Sequence, residues 1–554
     1  MFRKTEKAYT RLLALTILLA ASLAYGGESR PVNITIAATN DLHGYLEPSK
    51  PDITGKKPVG GAEYISWYVN SLRDMNPGGF LLVDAGDFMS GTFISNFNKG
   101  KAVIELFNML GYNAATIGNH EFDFGMALPG GDPQGVLKQR ASEAAFPLLS
   151  ANIYDKATGQ RWSAANIKPY IIVERRGFKI GIMGLTSANT PLTTHPDFIR
   201  NLDFRSTVAE AARLIPEMKA KGADTIIVLA HLVGGCSTTC NGEIAELAGA
   251  LNPADVSLLV TGHSHILISQ RVHGIPVMQT YSKGIALGHA ELYFDPDTRK
   301  VITERTTIFK PLFMYDELQG NKDTENSSLF ASNPGVKPDP KSRELVASYK
   351  ALISKIKDQY VCNAAETLER NLYGESSLGV LVTDAMRKHL PDVQVAMYNS
   401  GGIRADIPAG KVTYGRIFDA LPFESLLIRM KLTGAQIREI IEKGAGRTFG
   451  LMAISGVSTT LDQSARPGEK VVSLSIDGKP VEPDKLYTVV TNDFLLAGGD
   501  GFTPFTKGVD VFNTHTLIRN IFEEYLRKMG TVQPPAQRWY KMQNPVFKSG
   551  DSTN

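Results

Sequence analysis

Six short apolar runs, NITIAAT, FLLVDAG, AATIG, KIGIMGL, TIIVLAH and SLLVTGH, recur between residues 31 and 310, and each closes in a polar or glycine-bearing loop. Runs of this length without polar alternation are buried strands, and strands buried on both faces need covering layers. One cover is visible in TVAEAARLIPEMKAKGAD, which repeats Val208, Ala211, Ala212, Ile215 and Met218 at helical spacing. The alternation predicts a layered α/β domain with helices over a largely buried sheet.

Composition shifts at residues 316 to 342, a polar, proline-bearing stretch that reads as an exposed connector. A helix is expected next, with Leu345, Tyr349, Leu352, Ile356 and Tyr360 on one face. The predicted organisation is a domain over 31–315, a linker and connecting helix over 316–360, and a second mixed domain over 361–544. No fixed-period repeat is present, which argues against a solenoid. At 43% hydrophobic and 21% charged, the chain has the composition of a soluble globular protein, and 554 residues suffice for two or three domains. The formal net charge of +3, without any lysine or arginine block, argues against a nucleic-acid partner.

The N-terminus places Arg3, Lys4, Lys7 and Arg11 before the apolar stretch Leu12 to Ala21, followed by Ser22 and Ala24. This is the layout of a secretory signal peptide over residues 1–24, cleaved after Ala24, and its apolar part is short for a membrane anchor. The expected location is periplasmic or secreted, with no stable membrane anchor. Cys236 and Cys240, four residues apart, are expected to pair in such a compartment, since no second cysteine pair completes a zinc site; Cys362 reads as a buried thiol.

The strand ends carry the chemistry. Asp41 and His43 follow the first run in NDLHG, a spacing that in extended backbone puts both side chains on one face. Asp84 ends FLLV, where a carboxylate is costly unless paired or bound to a metal, and its two oxygens suit it to bridge two cations. GNHEFDFG brings Asn119, His120, Glu121 and Asp123 after the third run; alone, this is also ordinary turn chemistry. His231 ends TIIVLAH, and His263 and His265 end SLLVTGHSH. Five such pieces at five strand ends point to one metal site, and its mixture of carboxylate, imidazole and amide suits Mn, Zn, Co or Fe better than Mg or Ca.

The series NDLHG, DAGD, GNHEFD, LAH, GHSH resembles the calcineurin-like metallophosphoesterases, specifically the secreted 5′-nucleotidase branch that includes the periplasmic UDP-sugar hydrolase. The resemblance implies an α/β architecture: an N-terminal four-layered β-sandwich flanked by helices, plus a separate mixed α/β nucleotidase C-terminal domain. It implies two divalent metal ions, one held by Asp41, His43, Asp84 and His265 and the other by Asp84, Asn119, His231 and His263. Asp87 would then be a loop group behind the ligands. His120 would be the catalytic imidazole, oriented by Asp123.

In the C-terminal half, NSGGIRADIPAG, ALPFES and NDFLLAGGDGF are similar to the family's substrate segments. Carried over, Asn399 and Arg404 contact substrate, Phe423 and Phe494 sandwich an aromatic base, and Asp500 accepts from the ribose. The chain departs from the family at LERNLYGESSLGVLVTDAMR, with Arg370 upstream of the usual arginines and Val380 where Asn is usual. The implied activity is hydrolysis of nucleoside 5′-monophosphates, a small-molecule nucleotide substrate, and of nucleotide diphosphate sugars, with rotation between the domains. The same architecture also serves 2′,3′-cyclic nucleotide phosphodiesterases and thiosulfate-ester hydrolases, and a secreted nucleotide-binding or adhesion protein is the non-enzymatic alternative.

Overall fold

All six apolar runs form strands in the computed structural model, which describes residues 30–544 apart from 50–57, 129, 237–238, 316–334 and 447–449. The proposed signal peptide lies outside the described residues. Among those described, no helix is long and apolar enough to cross a membrane.

The strands divide between two sheets. One runs, in spatial order, through Thr307–Ile308, Ala286–Phe294, Val32–Thr39, Phe80–Asp84, Ala114–Thr116, Leu148–Leu149 and Ile167–Lys168. The other runs through Leu267–Val272, Ile275–Thr280, Val256–Gly262, Thr225–His231, Phe178–Thr186 and Tyr170–Arg175. Alternation along each strand assigns the faces. Ile34, Ile36 and Ala38 meet Ile182, Ile227 and Leu229 between the sheets. Ala37, Leu82 and Ala115 instead face the helices Ala62–Met75 and Lys101–Leu110, and Met183, Val228 and Ala230 face Thr207–Ala220 and Gly242–Ala250. The result is four layers, helix, sheet, sheet, helix. Within each sheet the site-bearing strands are parallel and in step, with Thr39 beside Asp84 in one and His231 beside Gly262 in the other, so their carboxyl ends open at one edge.

The helix after the connector spans Pro340–Lys357, capped by Asp339, whose side chain accepts from the Ser342 N–H. Its buried face is not the expected one. Val346, Tyr349 and Ile353 enter the first domain's core, whereas Leu352, Ile356 and Tyr360 are exposed. Apolar residues flank Tyr349 on both sides, and packing against Ala62–Met75 and Lys101–Leu110 selects between two adjacent stripes.

Beyond it, a five-stranded sheet runs through Ala453–Ser455, Val395–Tyr398, Leu486–Asn492, Leu426–Thr433 and Val509–Leu517, packed between two apolar cores. Val395–Tyr398 and Leu486–Asn492 are parallel, so the loops that follow them, bearing Asn399 and Phe494, emerge at the same end. That end meets the first domain: Phe93 packs on Phe418 with ring centroids 4.6 Å apart, and Asn96 Nδ2 donates to the Pro422 carbonyl at 3.3 Å. Cys236 and Cys240 are bridged, and Cys362 is buried.

Candidate metal centre

Two groups of donors meet at the open edge. Asp41, His43 and His265 form one, and Asp87, His231 and His263 the other; in each, one donor atom per residue lies within 4.8 Å of the rest. His265 Nε2 stands 3.3 Å from Asp41 Oδ1 and 3.1 Å from His43 Nε2. His231 Nε2 stands 3.0 Å from Asp87 Oδ2 and 3.2 Å from His263 Nδ1, which is 2.9 Å from Asn119 Oδ1. One carboxylate oxygen touches both groups, because Asp87 Oδ2 is also 4.0 Å from His43 Nε2.

Asp41 and His43 do not meet on one face of extended backbone. The strand ends at Thr39, and both residues take left-handed φ values of 49° and 48°. Their N–H groups donate to the carbonyls of Gly86 and Asp87, each at 2.9 Å, so one turn is templated on the other. His263 and His265, likewise left-handed at 86° and 58°, are split between the two groups. Backbone carbonyls set the rings: His43 Nδ1 lies 2.8 Å from Ser90 O and His231 Nδ1 2.9 Å from Ala85 O. Each Nδ1–H therefore donates outward and turns Nε2 towards the centre, the usual arrangement behind a metal-binding imidazole.

Asp84 is not in either group, contrary to the expected bridging role. At the end of its strand it lies beside Thr39, whose hydroxyl donates to Oδ2 at 2.6 Å, while the Gly86 N–H donates to Oδ1 at 2.7 Å. Burial then holds this carboxyl well above the usual carboxylate range. Gly86, at φ 93°, and Asp87, at φ 58°, turn the chain so that Asp87 is the residue aimed at the centre. Asp87 Oδ1 accepts from the His120 N–H at 2.8 Å, which leaves Oδ2 for the two groups.

Glu121, given no role in the sequence reading, secures that turn. Its carboxylate accepts from the N–H groups of Asp87, Phe88, Met89 and Gly118 at 2.7, 2.9, 3.2 and 2.8 Å. Glu121→Ala leaves these buried donors without their acceptor and is expected to cost about 3 kcal/mol or more, read as a lowered thermal midpoint together with reduced metal content.

His120 Nδ1 lies 2.7 Å from Asp123 Oδ2, and Ser90 Oγ donates to the same oxygen at 2.7 Å. Burial works against protonation of His120, but Asp123 and Asp87 outweigh it and hold the imidazole above its ordinary value. Deeper in the centre, burial opposes the charged form of both Asp87 and His231. The surrounding imidazoles nevertheless hold Asp87 well below the carboxylate range, and Asp87 pushes His231 up to about 10. Burial and the neighbouring His231 bring His263 down to about 3. A proton shared in this way is the charge that a divalent cation would supply, and the oxygen and imidazole donors fit such an ion.

The second domain closes over this edge. Arg404 Nη2 stands 3.4 Å from His43 Nε2, and its guanidinium lies 5.9 Å from the centre of the Phe423 ring. Phe423 and Phe494 make no ring contact with each other. Phe423 instead stacks on His120, with centroids 5.6 Å apart and planes 18° from parallel, and Phe494 lies over Gly499, where a β-carbon would sit 2.4 Å from the ring. Asn399 donates to Asp500 Oδ2 at 2.9 Å and accepts from Asn492 at 3.0 Å. Burial, opposed by Asn399, pushes Asp500 up to about 6. Arg370 Nη1 donates to the Arg404 carbonyl at 3.1 Å, while Val380 is buried in the helix Ser377–His389. Lys283, which no sequence pattern singled out, stands beside these arginines; burial, then Arg370 and Arg404, push it down to about 8.

Residues 34–267 match the calcineurin-like phosphoesterase family, and residues 353–507 match the 5′-nucleotidase C-terminal domain. The chain is 28% identical to the 5′-nucleotidase of Bos taurus over an alignment of 574 positions, gaps included, that covers 95% of this chain and 94% of that one. It is 27% identical to the endonuclease YhcR of Bacillus subtilis, of whose length it spans only 38%. A crystal structure of a 5′-nucleotidase precursor from Thermus thermophilus superposes with a TM-score of 0.78 at 27% identity, covering 93% of this chain and all of that one. Two family matches in series, on two domains whose facing loops converge on one set of metal donors, identify the chain as a member of the 5′-nucleotidase family of calcineurin-like phosphoesterases, a metal-dependent phosphoric ester hydrolase.

Proposed function

We propose that the protein is exported and hydrolyses nucleoside 5′-monophosphates at a pair of divalent cations drawn from Mn, Zn, Co or Fe. Asp41, His43, Asp87 and His265 would hold one cation, and Asp87, Asn119, His231 and His263 the other. The observation that carries this reading is the position of Asp87 Oδ2 between His231 Nε2 at 3.0 Å and His43 Nε2 at 4.0 Å. When bound, the cations supply positive charge to the phosphoryl oxygens and acidity to the attacking water.

The chain's own groups do the rest. His120, tied through Nδ1 to Asp123, presents Nε2 as a donor to the phosphoryl or leaving oxygen. Arg404 neutralises phosphoryl charge beside His43. Phe423 and Phe494 take the two faces of the base, which requires Phe423 to leave His120 and so a movement of the second domain. Asn399 holds Asp500 where it accepts from the ribose. The 5′-nucleotidases of Bos taurus and Thermus thermophilus support the choice of substrate, and the basic, apolar and small-residue layout of residues 1–24 supports export.

Phosphate release from AMP, UDP-glucose and 2′,3′-cyclic AMP tests the reading. AMP is expected to be hydrolysed with Mn²⁺, activity to vanish on chelation, and Mn²⁺ to restore it. No chelator-sensitive release from any of the three substrates would remove the reading.

A further inference from the structure

The short helix Thr190–Thr193 of the first domain packs against the turn Gly499–Gly501 of the second. Just beyond that helix, His195 Nε2 stands 3.6 Å from Asp493 Oδ2. Among the described residues this is the single ion pair between the first domain and the second, since the pairs of Glu47 reach only the connecting helix. Both partners are held from behind. Asp493 Oδ1 accepts from the N–H groups of Leu426 and Phe494, each at 3.1 Å, which leaves Oδ2 to face the other domain. The His195 ring lies by Phe198, with centroids 5.0 Å apart, and buried Gln134 donates to the Phe198 carbonyl at 2.6 Å and to Asn201 at 2.8 Å.

The charged groups that face His195 are all carboxylates: Asp493 at Nε2, Asp197 with Oδ2 4.0 Å from Nδ1, and Asp123 farther off. Burial works against the imidazolium, but these three outweigh it and hold His195 above its ordinary value. Nδ1 also accepts from the Asp197 N–H at 3.3 Å, a long contact that protonation exchanges for attraction to the Asp197 carboxylate.

We propose that His195 and Asp493 form a proton-operated latch between the domains: the imidazolium holds the second domain over the metal-donor edge, and the neutral ring releases it. Release matters because Phe423, stacked on His120, has to leave that ring before a base can enter, and Asp493 directly precedes Phe494. The closed arrangement strengthens the hold of His195 on its proton, so by linkage the proton favours the closed arrangement. That preference is fully present below the ordinary imidazole value, about 6.5, and is lost as pH rises through the raised value of the closed form. Of the hydrolase reading, the latch uses only the movement of the second domain.

Single-molecule fluorescence energy transfer between dyes at Met109→Cys and Val472→Cys, exposed sites in the first and second domains, reads the ratio of closed to open molecules. The native cysteines do not compete for dye, because Cys236 and Cys240 are bridged and Cys362 is buried. In the Mn²⁺-loaded protein without nucleotide, the ratio is expected to fall about threefold from about pH 6 to about pH 8.5, the scale of a partly exposed ion pair. His195→Asn keeps a side-chain acceptor for the Asp197 N–H but does not titrate, and Asp493→Asn keeps the acceptor for Leu426 and Phe494. Each is expected to lower the ratio at the acidic end and flatten the profile. An unchanging ratio in the wild type, or a response of undiminished size in either variant, overturns the proposal. Phosphate release from AMP reports separately on the hydrolase reading, so the two fail in different measurements.

Discussion

Asp87→Asn is expected to abolish phosphate release, by about a thousandfold or more, and to strip metal from both positions. Its side chain keeps the size of aspartate and can still accept from the His120 N–H, so the loss reports the missing charge and not a collapsed turn. One oxygen of Asp87 serves both donor groups, and removing its charge leaves four imidazoles, the Asn119 amide and a single carboxylate, Asp41, to hold two divalent cations. Asp84→Asn provides the contrast. Its carboxyl is spent on Thr39 and Gly86, and exchanging one oxygen for an amide nitrogen disturbs a single buried hydrogen bond, about 1–3 kcal/mol of stability, with metal content retained. Metal stoichiometry and phosphate release on the two purified variants decide between the carboxylates. If Asp84→Asn loses metal and Asp87→Asn keeps it, the assignment of the bridge to Asp87 fails.

The near miss between these two residues marks what was legible in the chain. Buried strands were readable because six apolar runs admit no other placement, and the donors were readable because each stands directly after such a run. Which of two carboxylates three residues apart faces the centre depends on backbone torsion. The left-handed turn at Gly86 and Asp87 reverses the direction that strand alternation assigns, and the same departure governs Asp41 and His43. The pairing of strands decides the other half: Thr39 ends the parallel neighbour at the level of Asp84, and its hydroxyl consumes that carboxylate. Glu121 was illegible for a different reason. Three of its four partners are backbone N–H groups more than thirty residues away, and no side-chain pattern records them. Lys283 escaped notice because its arginine neighbours come from the other domain. The connecting helix shows the same limit within one element, since periodicity found Tyr349 but packing chose the stripe beside it.

His120→Ala is expected to reduce turnover on AMP by about 100- to 1,000-fold with metal content unchanged. The prediction separates His120 from the residues around it. Its backbone N–H holds Asp87, a contact that alanine preserves, so the metal centre keeps its geometry while the imidazole is removed. What disappears is a donor tied to Asp123 and the ring on which Phe423 stacks. Loss of the ring contact alone would free Phe423 and move KM for AMP; loss of the donor lowers kcat. His120→Asn refines the comparison, because an amide restores a neutral hydrogen-bond donor without the charge of an imidazolium, and its turnover is expected to fall between wild type and alanine. Asp123→Asn follows the same logic one step out: it leaves the imidazole in place but takes away the carboxylate that supports its protonated form, so a smaller fall in kcat is expected, again with both metals bound. Metal analysis beside steady-state kinetics on the three variants distinguishes these roles. Should His120→Ala lose metal in proportion to activity, His120 would belong to the scaffold of the centre and the donor to the leaving oxygen would have to be sought elsewhere, first at Arg404, which stands 3.4 Å from His43.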